Sequence, residues 1–132
     1  MTGLLRCMLL AAAVYHLPPR VLPVIARLEG GHPGLVRPDS NGTADYGLMQ
    51  VNSVWLDAIA RRARLGRGET RRRLIDDPCF SIAAAAFILR ADIDRAGTLM
   101  RGIGDYHSAT PALNAAYRAR ALAMASRMFR VK

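Results

Sequence analysis

Apolar and polar positions recur at helical spacing along the chain, with proline and glycine as punctuation. Residues 4–15 are almost wholly apolar and predict a first helix, stopped at Leu17-Pro18-Pro19, where Pro19 suits the opening residue of a second. The second helix turns Val21, Leu22, Ile25 and Leu28 toward a core. Pro23 falls in its first turn, where a missing N–H is tolerated, and Gly30-Gly31 ends it. Residues 32–46, HPGLVRPDSNGTADY, have the chemistry of turns, with room for a short strand hairpin around Asn41-Gly42. GLMQVNSVWLDAIARR then resumes the helical pattern through Leu48, Val51, Val54, Trp55, Leu56 and Ile59, and predicts one or two short helices.

Seven arginines between Arg61 and Arg73 surround Gly66 and Gly68, which reads as a solvated basic loop with a short helical turn into Leu74 and Ile75. Asp76 or Asp77 suits the N-cap of a helix that starts near Pro78 and stops at Gly97. Its Ile82, Ala83, Ala86, Phe87 and Arg90 positions give an apolar face with polar flanks, as expected of a central core helix. TLMRGIGDYHSATP holds a short helix and a loop, and Pro111 opens a terminal helix to about Phe129. No repeat or linker interrupts the pattern, so the expectation is one mainly α domain over residues 1–132.

Charge narrows the partners. Eighteen arginines and one lysine against ten acids leave a formal net charge of +9, which suits polyanions: nucleic acid, anionic membrane or acidic cell wall. Cys7 and Cys79 lie too far apart for a metal-ligand pair, and no cofactor is expected. Their spacing leaves two readings open, one disulfide in an oxidising compartment or two buried thiols. MTGLLRCMLLAAAVYHLPP has features of a weak signal peptide, with Ala-x-Ala at Ala11 to Ala13. It reads equally as the first helix of the mature domain. It is too short to span a membrane, and Arg6 before Cys7 does not suit a lipoprotein site.

The chain has only two glutamates, Glu29 and Glu69, and Glu29 ends the apolar run VIARLE before two glycines. A carboxylate at a helix C-terminus faces the negative end of the dipole, and apolar surroundings further disfavour its charge. Such an acid stays protonated and suits proton donation to a glycosidic oxygen. Taken alone, a glutamate before Gly-Gly also reads as a solvent-facing helix end.

The order VIARLEGG, NGTADYGLMQVN and DYHSATP, followed by Tyr117, resembles lytic transglycosylases of the soluble-lytic-transglycosylase and goose-type-lysozyme kind. It is most similar to the small enzymes attached to secretion, conjugation and pilus machines. The resemblance covers about residues 5 to 120. It implies a compact lysozyme-like helical domain with a loop or hairpin beside a groove, a periplasmic or exported location, peptidoglycan glycan strands as substrate, and possible contacts with machine components. A monomer is expected, with no nucleic-acid partner and no transmembrane span.

By position, the resemblance implies Glu29 as the catalytic acid. Gly47, Leu48, Met49, Gln50 and Asn52 match its Gly-Leu-Met-Gln segment, with Met49 and Gln50 touching sugar. Tyr106 and His107 would line the groove, Tyr117 would stand close to the acid, and Ser108 and Thr110 would add hydroxyls. It also implies a Cys7–Cys79 disulfide and speaks against cleavage at Ala13, which leaves the export signal undetermined. The family commonly has serine after the acid, where this chain has Gly30, so Tyr117 or a backbone amide is expected to orient Glu29.

The implied mechanism needs no second carboxylate, because the substrate's N-acetyl group and 6-hydroxyl replace one. A hydrolytic lysozyme does need one, and Asp39 and Asp45 are the loop candidates; Asp45 is expected instead to brace the turn before Gly47 through backbone hydrogen bonds. Trp55 reads as core. The rival from another class is a non-catalytic basic module in which residues 61–73 dock nucleic acid or a machine component, binding that salt would weaken strongly. Few aromatics interleave those arginines, so a single-strand stacking surface is poorly supported.

Overall fold

A computed structural model describes residues 3–130. The elements in order are α1 (Gly3–Val14), α2 (Val21–Glu29), β1 (Val36–Pro38), β2 (Ala44–Tyr46), β3 (Val51–Asn52), a 3-10 turn (Ser53–Trp55), α3 (Leu56–Ala63), α4 (Arg67–Asp76), α5 (Pro78–Ala96), α6 (Leu99–His107) and α7 (Pro111–Met128). The architecture is mainly α, with one small antiparallel sheet in the order β1-β2-β3.

Helix α5 is the axis. Asp77 caps it by accepting from the Phe80 N–H at 3.1 Å, Pro78 sits in its first turn, and Gly97 ends it with φ of 91°. Burial extends nearly all round, through Ser81, Ile82, Ala84, Ala85, Ala86, Ile88, Leu89 and Ile93, whereas Ala83 is exposed. The one-faced reading of this helix is therefore too narrow: small alanines let α1, α4 and α6 approach it from several sides. Burying a Leu or Ile side chain contributes roughly 1.5–3 kcal/mol against about 0–1 for an exposed ion pair, so Leu22, Ile25, Ile82 and Leu89 hold the fold.

Two elements differ from expectation. Helix α2 opens at Val21, which leaves Pro19 in the preceding turn and Pro23 at the third helical position. The arginine-rich segment is largely helix, not loop. α4 turns Thr70, Leu74 and Ile75 inward, while Glu69 pairs with Arg72 and Arg73 one turn on, and Arg67 with Asp57. Those two arginines hold the Glu69 carboxyl at about 2.

Cys7 and Cys79 form a disulfide, with Cα atoms 5.5 Å apart, that ties α1 to the start of α5. No helix among the described residues is long and apolar enough to cross a membrane.

Asp92 is 2% exposed on α5. Burial pushes its carboxyl up to about 6 against the opposing pull of Arg95, with Asp105 adding to the rise. The folded state thus binds this proton more tightly than the unfolded chain, where an aspartate titrates near 4. The cost of ionising it is absent below about pH 4, grows as pH rises to 6, and reaches roughly 3 kcal/mol above that. Asp92→Asn should therefore gain stability relative to wild type between pH 4.5 and 7, measured as the difference in urea midpoints. A constant difference across that range would contradict it.

Candidate active site

Glu29 follows Ile25 by one helical turn, so its side chain leaves the same stripe that carries Val21, Leu22 and Ile25 into the core. Gly30 then closes α2 in the left-handed region, φ 64°, donating its N–H to the Ala26 carbonyl at 3.2 Å. The second glycine has a different reason. A Cβ on Gly31 would lie 2.2 Å from the Gly47 carbonyl oxygen and 2.5 Å from that of Leu48, so the chain after the acid is pressed against the Gly-Leu-Met-Gln turn.

The Tyr117 hydroxyl, from α7, donates to Glu29 Oε2 at 2.7 Å. Tyr117 is 2% exposed and its ring stacks on His107, centroids 4.7 Å apart and planes within 4°. Burial raises the Glu29 carboxyl above the ordinary carboxylate range; the Tyr117 hydrogen bond opposes this, Asp45 adds to it, and Arg120 and Arg37 pull the other way. The Tyr117 hydroxyl is itself pushed up by burial and by Glu29, and stays a donor. His107 is held below its usual range by burial and by Arg120, which keeps its imidazole neutral at pH 7.

Residues 47–50 form a turn, not the start of a helix. Gly47 (φ 66°) and Gln50 (φ 52°) both lie in the left-handed region, and a Cβ on Gly47 would meet the Leu74 carbonyl oxygen at 2.1 Å. The turn is held from inside: the Met49 N–H donates to Ser81 Oγ at 3.1 Å, and the Tyr106 hydroxyl to the Met49 carbonyl at 2.8 Å. Gln50 Nε2 donates to the Gly47 carbonyl at 2.9 Å, while its Oε1 is buried without a hydrogen-bond partner among the described residues.

The hairpin forms around Asn41-Gly42, with Arg37 opposite Asp45 and Val36 opposite Tyr46. Asn52 ties it together. Its Nδ2 donates to Asp45 Oδ1 and Thr43 Oγ1 at 3.0 Å and to Asp39 Oδ2 at 3.2 Å, and its Oδ1 accepts from the Val54 N–H. Asp45 accepts from this side chain rather than bracing the Gly47 turn through backbone bonds. Its carboxyl is raised by burial, against the Asn52 bond, with Asp39 adding to the rise.

A cleft of about 680 Å³ runs past these groups. Glu29, Gln50, Asn52, Tyr106 and His107 line it. Met49 does not: its side chain is fully buried, so it supports the cleft floor and offers only a carbonyl to Tyr106. Gly47 is buried and Leu48 packs on the core, and Tyr117 reaches the cleft only through Glu29 and His107. Ser108 and Thr110 are not in the lining; Ser108 Oγ accepts from the Thr110 N–H and shapes the entry to α7. Sequence reasoning missed Arg37, Val54, Trp55, Ile88 and Asp105 as lining residues. For Trp55 the signal was present but ambiguous, since it both meets Phe87 edge-on and faces the cleft. Among the described residues no group of three or more His, Cys, Asp or Glu is placed to hold a metal ion.

Comparison with known proteins bears on this site. The family model described as "Transglycosylase SLT domain" matches residues 6–126. The chain is 29% identical over 105 residues to the "Invasion protein IagB" of Salmonella typhimurium, covering 79% of this chain and 62% of that protein. To "Protein IpgF" of Shigella flexneri it is 33% identical over 97 residues, covering 73% and 60%. To a "Peptidoglycan-binding-like protein" of Escherichia coli O157:H7 it is 26% identical over 108 residues, covering 74% and 60%. The chain thus spans roughly three fifths of the length of these curated relatives.

Proposed function

The chain belongs to the transglycosylase SLT domain family, and from that premise we propose that it is a lytic transglycosylase that cleaves the β-1,4 bond between muramic and glucosamine residues of peptidoglycan with Glu29 as its one acid and base. The observation that carries this reading is a half-buried glutamate, kept toward its protonated form, gripped by Tyr117 and open to the cleft. Glu29 gives its proton to the leaving glycosidic oxygen as the C1–O bond breaks. The substrate's N-acetyl group stabilises the electron-poor anomeric carbon, and the 6-hydroxyl of the same sugar then bonds to C1 and returns its proton to Glu29. The attack is intramolecular, so its effective molarity is high, and the product is a 1,6-anhydromuramic end with no water consumed.

The chain's own groups have defined parts in this reaction. The Tyr117 hydroxyl aims the carboxyl, filling the place that a serine beside the acid would fill. Gln50 offers a buried, unpartnered acceptor at the cleft, suited to a sugar hydroxyl or amide. His107, neutral and exposed on the Tyr117 ring, and Trp55 offer flat faces for sugar rings. The disulfide and the +9 charge fit an oxidising envelope compartment and an acidic wall polymer. The name of the IagB relative, an invasion protein, fits local wall opening for an envelope-spanning machine.

Digesting purified sacculi and weighing the muropeptides tests the reading: products one water lighter than hydrolytic ones are expected. A second reading has its own observation, since Asp45 lines the same cleft and acts electrostatically on Glu29, as a second carboxylate of a hydrolase would. Products with reducing ends, together with loss of activity in Asp45→Asn, would replace the first reading by the second.

Tyr117→Phe separates positioning from chemistry. Its hydroxyl favours the charged form of Glu29, so removing it raises the Glu29 carboxyl further. The reaction needs Glu29 protonated at the start, and activity falls as pH rises through that value. The alkaline limb of kcat/KM should therefore move to higher pH in Tyr117→Phe, while kcat drops roughly 10-fold or more from lost aim. A limb that stays in place would remove Tyr117 from this role.

A further inference from the structure

The cleft acids and the nearby arginines are satisfied in unequal ways. Asp45 accepts from the neutral amide of Asn52, Asp39 from that amide and the Thr43 hydroxyl, and Asp105 from the amide of Asn114 at 2.7 Å. Arg37 lines the cleft and sits directly across the hairpin from Asp45, yet it forms no ion pair among the described residues. One of its nitrogens, Nη1, donates to the Glu29 backbone carbonyl at 3.3 Å, which holds the guanidinium beside the acid and leaves most of its five N–H donors open. Arg120 lies over the Tyr117 ring, 5.4 Å from its centroid, and likewise forms no ion pair among the described residues, though both arginines act on the Glu29 carboxyl electrostatically. No acid follows Asp105 in the chain, so the helix that carries Arg120 offers none. Elsewhere arginines near an acid do pair, as Arg67, Arg72, Arg90 and Arg95 do.

We infer that Arg37 and Arg120 form a carboxylate-binding site flanking Glu29 that takes the acidic peptide stem of the muramic sugar being cleaved. This rests on the reading under Proposed function and deepens it. The stem leaves O3 of the same ring whose C1–O bond breaks, so its first carboxylates travel with the reacting carbon into the neighbourhood of Glu29. A guanidinium fork matches a carboxylate in shape and charge. The cleft carboxylates Asp39, Asp45 and Asp105 would repel the stem from their own positions, which makes the arginines orienting as well as attractive. Substrate choice follows: strands bearing acidic stems should be preferred over strands whose stems carry no charge.

The test uses soluble peptidoglycan strands with intact stems and the same strands after their carboxylates are converted to amides with carbodiimide and methylamine. Binding is measured by calorimetry in the Glu29→Gln background, where nothing is cut, and KM and kcat in chains that retain Glu29. Amidation should weaken binding to the otherwise unaltered chain about tenfold. Arg37→Gln and Arg120→Gln should each raise Kd and KM about tenfold on acidic strands and less than twofold on amidated ones, with kcat changing less than KM. Arg37→Lys should recover part of the loss, because charge remains where the fork is gone. Equal losses on both strand types, or none on either, would overturn the site. If a replacement fails to fold, the amidation arm still decides with Arg37 and Arg120 unaltered, and indifference to amidation overturns the site. Charge-dependent binding without any cleavage would sink the transglycosylase reading and leave the site standing; cleavage indifferent to stem charge would do the reverse.

Discussion

Glu29→Gln is expected to lower turnover of sacculi by roughly 10³-fold while leaving the melting temperature and glycan affinity nearly unchanged. Glutamine matches glutamate in shape and still accepts from the Tyr117 hydroxyl, so the grip seen at 2.7 Å survives. What it lacks is a proton to give. In a general-acid mechanism that deficit falls on the transition state alone, which is why kcat and kcat/KM should fall together and binding should not. The pH profile carries an independent check on the active chain. Burial, aided by Asp45, raises Glu29 against the pull of Tyr117, Arg120 and Arg37, so activity should persist above the ordinary carboxylate range and decline only on the alkaline side of the raised value. Asp39, Asp45 and Asp105 are the other carboxylates that line the cleft. Retained activity in Glu29→Gln would move the acid to one of them.

The proposed acid drew notice in the sequence because one of two glutamates ends an apolar stripe, and it took on a chemical role only when the later motifs were read with it. Its hydrogen-bond partner was expected only by family resemblance. Tyr117 is 88 positions away, and its packing on α7 explains an inward tyrosine equally well. Periodicity describes a single element's faces; it does not say which two faces meet. The same limit explains Asp45, read as a turn brace although β2 turns it into the cleft.

Local misreadings have local causes. Leu48, Met49 and Val51 fit a helical stripe, but the segment is apolar because the turn is buried, and the left-handed conformations of Gly47 and Gln50 exclude a helix. Helix α4 was hidden by glycines and a run of arginines. Only Thr70, Leu74 and Ile75 face inward there, and exposed pairs with Glu69 supply the rest. By contrast α5 was readable at both ends, because Asp77, Pro78 and Gly97 each act within one turn of the backbone they cap. The double glycine after the acid divides between the two kinds of cause. Gly30 serves a helix end, which sequence reveals, and Gly31 serves a tertiary contact with residues 47 and 48, which it does not.

Removing the disulfide should have the largest effect on stability. The Cys7–Cys79 bond closes a loop with a sequence separation of 72, and in the chain-entropy account such a crosslink stabilises by about 4 kcal/mol by restricting the unfolded chain. For a domain of this size that corresponds to a fall in melting temperature of roughly 10–15 °C in a Cys7→Ser, Cys79→Ser double replacement. The native contacts argue that the fold itself persists. Met8, Ala11 and Ala12 bury α1 against its neighbours without the sulfurs, and Tyr15 meets Phe87 of α5 edge-on. Activity at 25 °C should therefore survive while the melting curve shifts. Denaturant titration separates the two possible origins: an effect on the unfolded chain leaves native activity intact and raises the denaturant slope, because the uncrosslinked chain exposes more surface. Loss of activity at 25 °C in the folded double variant would instead mean that the bond positions α5, and through Ser81 the turn at Met49, which would make it part of the site's support.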